Sequence, residues 1–425
     1  MEIYASRDEY IKALTLRAGL PRGFQAATAE LDFLPKEIPV KKPYRMSLAL
    51  LTLDRPSPSF AAVFTRNSFP GAPVIIGKKR LGQKNISGVL INNKISNVCA
   101  EDGVKNAGHI LAELGGLTGF AAEQYFCAST GIIGWRLPVP EIIGKLPELV
   151  SSLDNSSLLP AAGAIMTTDA YPKIREARIG AGRIVGIAKG AGMIEPNMAT
   201  MLVFLLTDIS IDRPLLQQAL QQACAESFNT ISVDGDQSTS DMALIFSSNM
   251  VPLTSVDEFT GALTSVCRQL ASDIVRNGEG VSHVIQVKTV NAPDRETAAA
   301  IGKTVCNSNL VKTAVFGNDP NVGRIISAIG DYAGTNNIPL DFSRLLVRLG
   351  NQCIFTEGCF CLDTGKEKLL ADYLAQCAFD NSSGYPSHNR SVELRIDLGM
   401  GSASATVTGA DLSYGYIKEN AMYRS

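Results

Sequence analysis

The sequence predicts an α/β (α+β) chain in which layered sheets are covered by helices. Beyond residue 200, apolar runs of strand length alternate with amphipathic stretches of helix length. From residue 344 onward, short β-type runs dominate. The composition agrees with a soluble globular chain: of 425 residues, 45% are apolar and 19% charged. That length suits two or three core-sized units or one large body.

The elements read in order as follows. Residues 1–46 are polar and dotted with Pro21, Pro35, Pro39 and Pro43, leaving one short helix at 9–18. Strands are expected at 47–53, 60–65 and 88–91, and helices at 104–114 and 139–153. A hairpin-like piece between Asp169 and Lys189 returns to a strand at 183–188. Residues 201–207 form a continuous apolar run, the pattern of a strand buried on both faces. Then follow a helix at 213–227, a strand at 242–248, a helix at 256–277, a strand at 283–290 and a helix at 295–308. Next come a strand at 312–316 and a helix at 321–329. Strands at 344–349, 352–361, 392–398, 403–407 and 414–420, with a helix at 366–376, complete the chain. Serine- and asparagine-rich 151–160, and 379–390, read as linkers.

Several function classes are disfavoured. With 39 basic against 41 acidic residues, net charge is −2 and no basic block could track a phosphate backbone, so nucleic acid is not an expected partner. No run reaches the roughly 18 apolar residues that cross a bilayer. The first residues, Met1-Glu2-Ile3-Tyr4-Ala5, do not resemble a secretory signal, and a cytoplasmic location is expected. The nine cysteines are odd in number and scattered, unlike a disulfide framework. Cys359 and Cys361 would share one face of a strand, as paired core thiols. His109, His283 and His388 lie far apart in sequence, which disfavours a zinc site or a histidine triad. Gly302-Lys303-Thr304 lacks the first glycine of a phosphate loop, and Asp234-Gly235-Asp236 opens a segment with Thr239 where a calcium loop needs glycine and Ile245 where it needs an acid. Gly180-Ala181-Gly182 is not a dinucleotide fingerprint. No metal and no cofactor is expected.

The most informative segment is Lys189-Gly-Ala-Gly-Met-Ile-Glu-Pro-Asn-Met-Ala-Thr200, which runs directly into the apolar strand. A threonine hydroxyl without a base is a poor nucleophile. Cutting the Ala199–Thr200 bond would free an α-amine of pKa about 7.7–8.0 beside the Oγ, supplying that base. On the residues alone the plainer reading leads: a glycine-rich loop feeding a core strand. In the same way, Ser129-Thr130-Gly131 is either a turn or a pair of oxyanion donors.

The segment resembles the signature of the ornithine acetyltransferases (glutamate N-acetyltransferases). Further motifs agree in order: Ser129-Thr130-Gly131-Ile132-Ile133-Gly134, Ile165-Met166-Thr167-Thr168-Asp169, and Asp234-Gly235-Asp236-Gln237-Ser238-Thr239-Ser240-Asp241. Asn277-Gly278-Glu279-Gly280, Gly317-Asn318-Asp319-Pro320-Asn321 and the terminal Asn420-Ala421-Met422-Tyr423-Arg424-Ser425 follow. The resemblance runs from about Phe60 to the end.

It implies a self-processing architecture of the N-terminal-nucleophile type, cleaved between Ala199 and Thr200 into an α chain (1–199) and a β chain (200–425). The two chains would assemble as a heterotetramer of two α and two β. Thr200 would be the nucleophile and, through its amine, the base; Thr130 and Gly131 would form the oxyanion hole. Thr167, Lys189, Thr200, Glu279, Asn420 and Ser425 would contact substrate, a set carrying both charges because a zwitterion presents both signs. The implied reaction moves acetyl from N2-acetyl-L-ornithine to L-glutamate by a ping-pong route through acetyl-Thr200, in arginine biosynthesis.

This chain departs from the family pattern at Asn92–Val98, Val322 and Ser240, and Trp135 is a further departure that either walls the pocket or packs beside it. Glu195-Pro196 and Ser238-Thr239-Ser240-Asp241 are closer to the branch found in antibiotic gene clusters. Two alternatives therefore stay open: an acyltransferase of specialised metabolism with another amine acceptor, and an N-terminal-threonine amidase or aminopeptidase. A non-catalytic amino-acid-binding relative is disfavoured, since Thr200, Thr130, Gly131 and Lys189 are all present.

Overall fold

The structure, a computed structural model, describes residues 2–195 and 201–422. In the first half, α1 (Arg7–Arg17) leads to β1 (Phe24–Phe33), β2 (Tyr44–Ser57) and β3 (Phe60–Phe64). Then come α2 (Ala72–Arg80), β4 (Ile86–Asn92), α3 (Gly103–Thr118), β5 (Tyr125–Ser129), α4 (Val139–Ser151) and α5 (Leu159–Ala164). A hairpin of β6 (Lys173–Ile179) and β7 (Gly182–Lys189) closes that half. Beyond residue 200 lie β8 (Leu202–Ile209), α6 (Arg213–Ala225), β9 (Ile231–Ser232), β10 (Met242–Val251), α7 (Val256–Arg276), β11 (Val284–Ala292) and α8 (Arg295–Asn307). The chain continues with α9 (Asn309–Phe316), α10 (Val322–Thr335), β12 (Leu346–Leu349), β13 (Gln352–Thr356) and β14 (Cys359–Phe360). It ends with α11 (Thr364–Cys377), β15 (Val392–Asp397), β16 (Ala403–Ala410) and α12 (Tyr414–Ala421).

Among the described residues these strands form a four-stranded sheet (β1-β2-β4-β5), a five-stranded sheet (β3-β10-β8-β7-β6) and a seven-stranded sheet (β14-β13-β12-β15-β11-β16-β9). The first two stack face to face. Phe204, Leu206, Leu244 and Phe246 of the five-stranded sheet meet Leu51, Val89 and Phe126 of the four-stranded one. On the opposite face, Val203, Leu205 and Ile245 pack against Leu220 of α6 and Leu263, Val266 and Leu270 of α7. Leu48, Leu50 and Leu90 on the outer face of the four-stranded sheet are covered by Leu111 and Leu114 of α3 and Ile142 and Leu146 of α4. The layers therefore run helices, sheet, sheet, helices. Every residue of β8 is buried, which is why this strand reads as an unbroken apolar run rather than an alternation. The seven-stranded sheet has a separate core with α8, α10 and α11, where Ile301, Ile329 and Leu370 meet Val287, Val347 and Leu394.

Capping explains why the long helices start where the sequence places them. Ser255 accepts the Glu258 N–H at the start of α7, and Asp294 accepts that of Thr297 at the start of α8, each satisfying an otherwise orphaned donor. Caps also explain two corrections. Residues 312–316, expected as a strand, lie in helix α9, capped by Ser308 and burying Val311, Ala314 and Val315 at helical spacing. Residues 414–420, also expected as a strand, lie in helix α12, whose Ser413 hydroxyl accepts the Tyr416 N–H.

The expected strand 352–361 is broken at Glu357-Gly358, where φ is 51° and 74°, producing the β13–β14 hairpin. In consequence Cys359 is exposed and Cys361 half-buried; they are not paired core thiols. The polar reading of 1–46 missed β1, where Leu31 and Phe33 point inward and Glu30 and Asp32 outward, and alanines at 26, 27 and 29 mute the rest of the pattern. Helices α2 and α5 and strands β5 and β9 are likewise absent from the sequence reading.

The strand following Thr200 draws its neighbours from both sides of that residue. β8 pairs with β7 on one side, Lys189 opposite Leu202, and with β10 on the other.

Candidate active site

One cavity of about 480 Å³ opens at the start of β8, where Met201 and Leu202 line it. Thr130, Gly131, Thr167, Lys189, Glu279 and Asn420, widely separated in sequence, all line the same cavity. Ala199, Thr200 and Ser425, the remaining expected site residues, lie outside the described residues.

The Thr130-Gly131 turn is set by strand pairing. β5 runs parallel to β4 as far as Ser129 opposite Asn92, and the Thr130 N–H then donates to the Asn92 carbonyl at 3.1 Å. The Ser129 hydroxyl donates to Asn92 Oδ1 at 2.7 Å, while Asn92 Nδ2 donates to the Ile95 carbonyl at 2.9 Å. Ile132 N–H reaches the Lys94 carbonyl at 2.9 Å, and Gly134 N–H that of Val98 at 2.9 Å. The Asn92–Val98 segment that departs from the family pattern is thus the rail beside the turn. Gly131 has φ 128°, and an added Cβ would stand 2.2 Å from the Lys94 carbonyl carbon, so only glycine fits. Trp135 does not line the cavity. It is buried in the core outside the four-stranded sheet, edge-on to Tyr44 at 5.3 Å.

Lys189, the last residue of β7, donates from Nζ to Thr130 Oγ1 at 3.1 Å. One residue on, the Gly190 N–H donates to Asp169 Oδ1 at 2.8 Å, and Asp169 Oδ2 accepts the Thr167 N–H at 3.1 Å. Asp169 is buried in an ion pair with Lys173 at 2.5 Å, and Lys173 Nζ also donates to Asn277 Oδ1 at 2.7 Å. Burial opposes ionisation of Asp169, but the ammonium groups of Lys173 and Lys189 outweigh it and hold the carboxyl at about 2. Burial pulls the Lys173 ammonium down against the support of that same carboxylate.

Glu279 is not the exposed loop acid that its glycine neighbours could suggest. It is buried, its N–H donates to the Ala191 carbonyl at 2.9 Å, and its carboxylate accepts Asn420 Nδ2 at 2.7 Å. Gly192 passes directly over it: a Cβ there would lie 2.3 Å from Oε2. Asp234 grips the same loop from below, accepting the Met193 N–H at 2.6 Å, the Ile194 N–H at 2.9 Å and the Tyr416 hydroxyl at 3.1 Å.

Asp169, Lys173, Asn277, Asp234 and Tyr416 were not singled out from sequence as site residues. The available signal for the first pair was an acid four residues before a lysine beside a motif. Their burial, which gives that spacing its meaning, is tertiary.

Among the described residues no His, Cys, Asp and Glu group of metal-ligating composition forms, and no helix is long and apolar enough to cross a membrane. His283 does find a carboxylate, Asp411 at 2.9 Å, but Ser282 Oγ donates to that same carboxylate and none of the three lines the cavity.

Comparison with known proteins identifies the family. The chain is similar to the arginine biosynthesis bifunctional protein ArgJ 2 of Clostridium acetobutylicum, 35% identical over 95% of this chain and 98% of the relative. It is also similar to the arginine biosynthesis bifunctional protein ArgJ of Geobacter sulfurreducens, 37% identical over 92% of this chain and 98% of the relative. A crystal structure of the arginine biosynthesis bifunctional protein argJ from Bacillus halodurans is 32% identical, covering 51% of this chain and 97% of that one with a TM-score of 0.45. Residues 35–425 match the ArgJ family. The chain belongs to the ArgJ family and is an acetyltransferase of the ornithine acetyltransferase type that its motifs resemble.

Proposed function

We propose that the protein cleaves itself between Ala199 and Thr200 and then transfers acetyl from N2-acetyl-L-ornithine to L-glutamate, in the cytoplasm and within arginine biosynthesis. The observation that carries this reading is the convergence of Thr130, Gly131, Thr167, Lys189, Glu279 and Asn420 on one cavity at the start of β8, the strand that Thr200 precedes.

In processing, Thr200 Oγ attacks the Ala199 carbonyl carbon, the acyl group shifts from nitrogen to oxygen, and water hydrolyses the ester. The products are chain 1–199 and chain 200–425, with a free amine on Thr200. In catalysis that amine takes the hydroxyl proton while Oγ attacks the acetyl carbonyl. Thr130 and Gly131 receive the oxyanion, and losing one such donor costs about 100- to 1,000-fold in rate. The C–N bond breaks, the leaving amine takes the proton, and ornithine departs. Glutamate's amine then attacks the acetyl-Thr200 ester, regenerating the enzyme. Lys189 supplies a cation for a substrate carboxylate, Glu279 an anion for an ammonium, and Thr167, Asn420 and Ser425 neutral hydrogen bonds. Two α and two β chains form the assembled enzyme.

Two measurements test this. Mass spectrometry of purified enzyme should find a chain beginning at Thr200 and, after incubation with N-acetylornithine, an acetyl adduct of about 42 Da on that chain. Ornithine release should require an acceptor amino acid, with glutamate preferred and initial-rate lines parallel. An uncut chain with full activity would end the self-cleavage reading. Release independent of any acceptor, with free acetate, would make the protein an amidase.

A further inference from the structure

Lys189 meets the site in a way that its part in binding substrate does not require. An ammonium has three donors and no acceptor, so at 3.1 Å from Thr130 Oγ1 it can only donate, and the hydroxyl oxygen can only accept. The proton of Thr130 is therefore not spent on Lys189. The Thr130 backbone N–H is already given to the Asn92 carbonyl. What Thr130 can offer the cavity is its O–H.

A hydroxyl that accepts from a cation becomes a stronger donor, because charge-assisted bonds are strong and successive hydrogen bonds polarise one another in a low-dielectric site. We infer that Lys189 is a positioning residue of the oxyanion hole: it fixes the Thr130 rotor with its proton toward the cavity and strengthens that proton as a donor to the developing oxyanion. This rests on the acetyl-transfer reading and adds to it a role for Lys189 in the rate of the chemical step.

The frame around Lys189 suits that task. Its Cα is fixed by pairing with Leu202 across β7 and β8, on the strand that follows Thr200. Asp169 holds the next amide, that of Gly190, through a buried carboxylate itself pinned by Lys173. The ammonium is thus carried by a strand end tied on two sides, and Thr130 by a turn whose glycine admits no other residue.

The test is a double-variant cycle on the full chain after processing, checked by mass. Lys189→Met and Thr130→Val are made singly and together, and kcat and KM are measured for ornithine release and for glutamate acetylation. Lys189→Met should lower kcat by about 10- to 100-fold in the Thr130 protein, less than the loss of a whole oxyanion donor. In the Thr130→Val background the same change should cost under about 3-fold, because the group it acts through is gone. Lys189→Arg, which still donates, should recover most of kcat. If Lys189→Met stays uncut, Lys189→Gln carries the same cycle.

A rise in KM with kcat kept, or losses that multiply, would overturn the inference and leave Lys189 as a carboxylate binder. Wild-type protein that releases no ornithine would instead overturn the acetyl-transfer reading on which the inference stands.

Discussion

The five-stranded and seven-stranded sheets solve different problems. The seven-stranded sheet draws every strand from beyond residue 200, β9 and β11–β16, with its helices from the same stretch. The five-stranded sheet interleaves the halves: β3, β7 and β6 precede residue 200, while β8 and β10 follow it. One sheet could belong to a chain that is never cut. The other would hold two halves together after the proposed cut, because each half supplies hydrogen-bond partners that the other lacks. The cavity at the start of β8 is lined by residues from both sides of position 200. The lesson is that location of the site follows shared pairing, not size of sheet.

The difference can be broken deliberately. Phe204, fully buried in β8 between the two stacked sheets, should cost about 3–5 kcal/mol when changed to alanine. Denaturant titration should record that loss together with reduced co-elution of the halves in gel filtration. Leu394, buried in the seven-stranded sheet, should cost about 2–5 kcal/mol as Leu394→Ala, yet leave kcat and the co-elution of the halves unchanged in the folded fraction. Equal effects of both variants on co-elution would erase the contrast.

Asp169 gives the next test, through pH. Its carboxyl is held at about 2 against an ordinary 3.8, so its contribution is complete above pH about 4 and is lost as pH falls toward 2. A variant carrying both Asp169→Asn and Lys173→Met should lose that part of the acid dependence, read by thermal unfolding at a series of pH values. An unchanged acid limb would separate Asp169 from acid stability.

The smallest effect is expected at the outer edge of the seven-stranded sheet. Cys359→Ser, at an exposed position, should shift stability by no more than about 0.5 kcal/mol. A core thiol would cost several times that.

Legibility in the sequence followed the same division. The double-faced strand β8 announced itself because both its faces are buried, and a continuous apolar run has few other readings at that length. Helices α7 and α8 were legible through their amphipathic periodicity, and the Ser255 and Asp294 caps that fix their starts are findings of the structure. β1 was not, since three of its inward positions are alanines that carry little hydrophobic signal. α9 and α12 were misread because short apolar or aromatic segments suit either period, and a single capping serine decided each.

At the site, Thr130, Gly131 and Lys189 were legible as residues but not as neighbours. That Lys189 donates to Thr130, and that Asp169 and Lys173 lie beneath, depends on strand register and burial. No spacing along the chain encodes either.

The segment 190–201 joins two strands already in register, Lys189 opposite Leu202. While it is intact, unfolding and refolding of the chain are first-order events, independent of concentration. Were it cut as proposed, the strand pairing on either side could persist, but a denatured molecule would be two free chains that must meet again to fold. Refolding would then be second order, slowing with dilution, and persistence of the fold would be set by the rate of unfolding. Processing would in this way leave the architecture unchanged while making the finished enzyme difficult to remake once it has come apart.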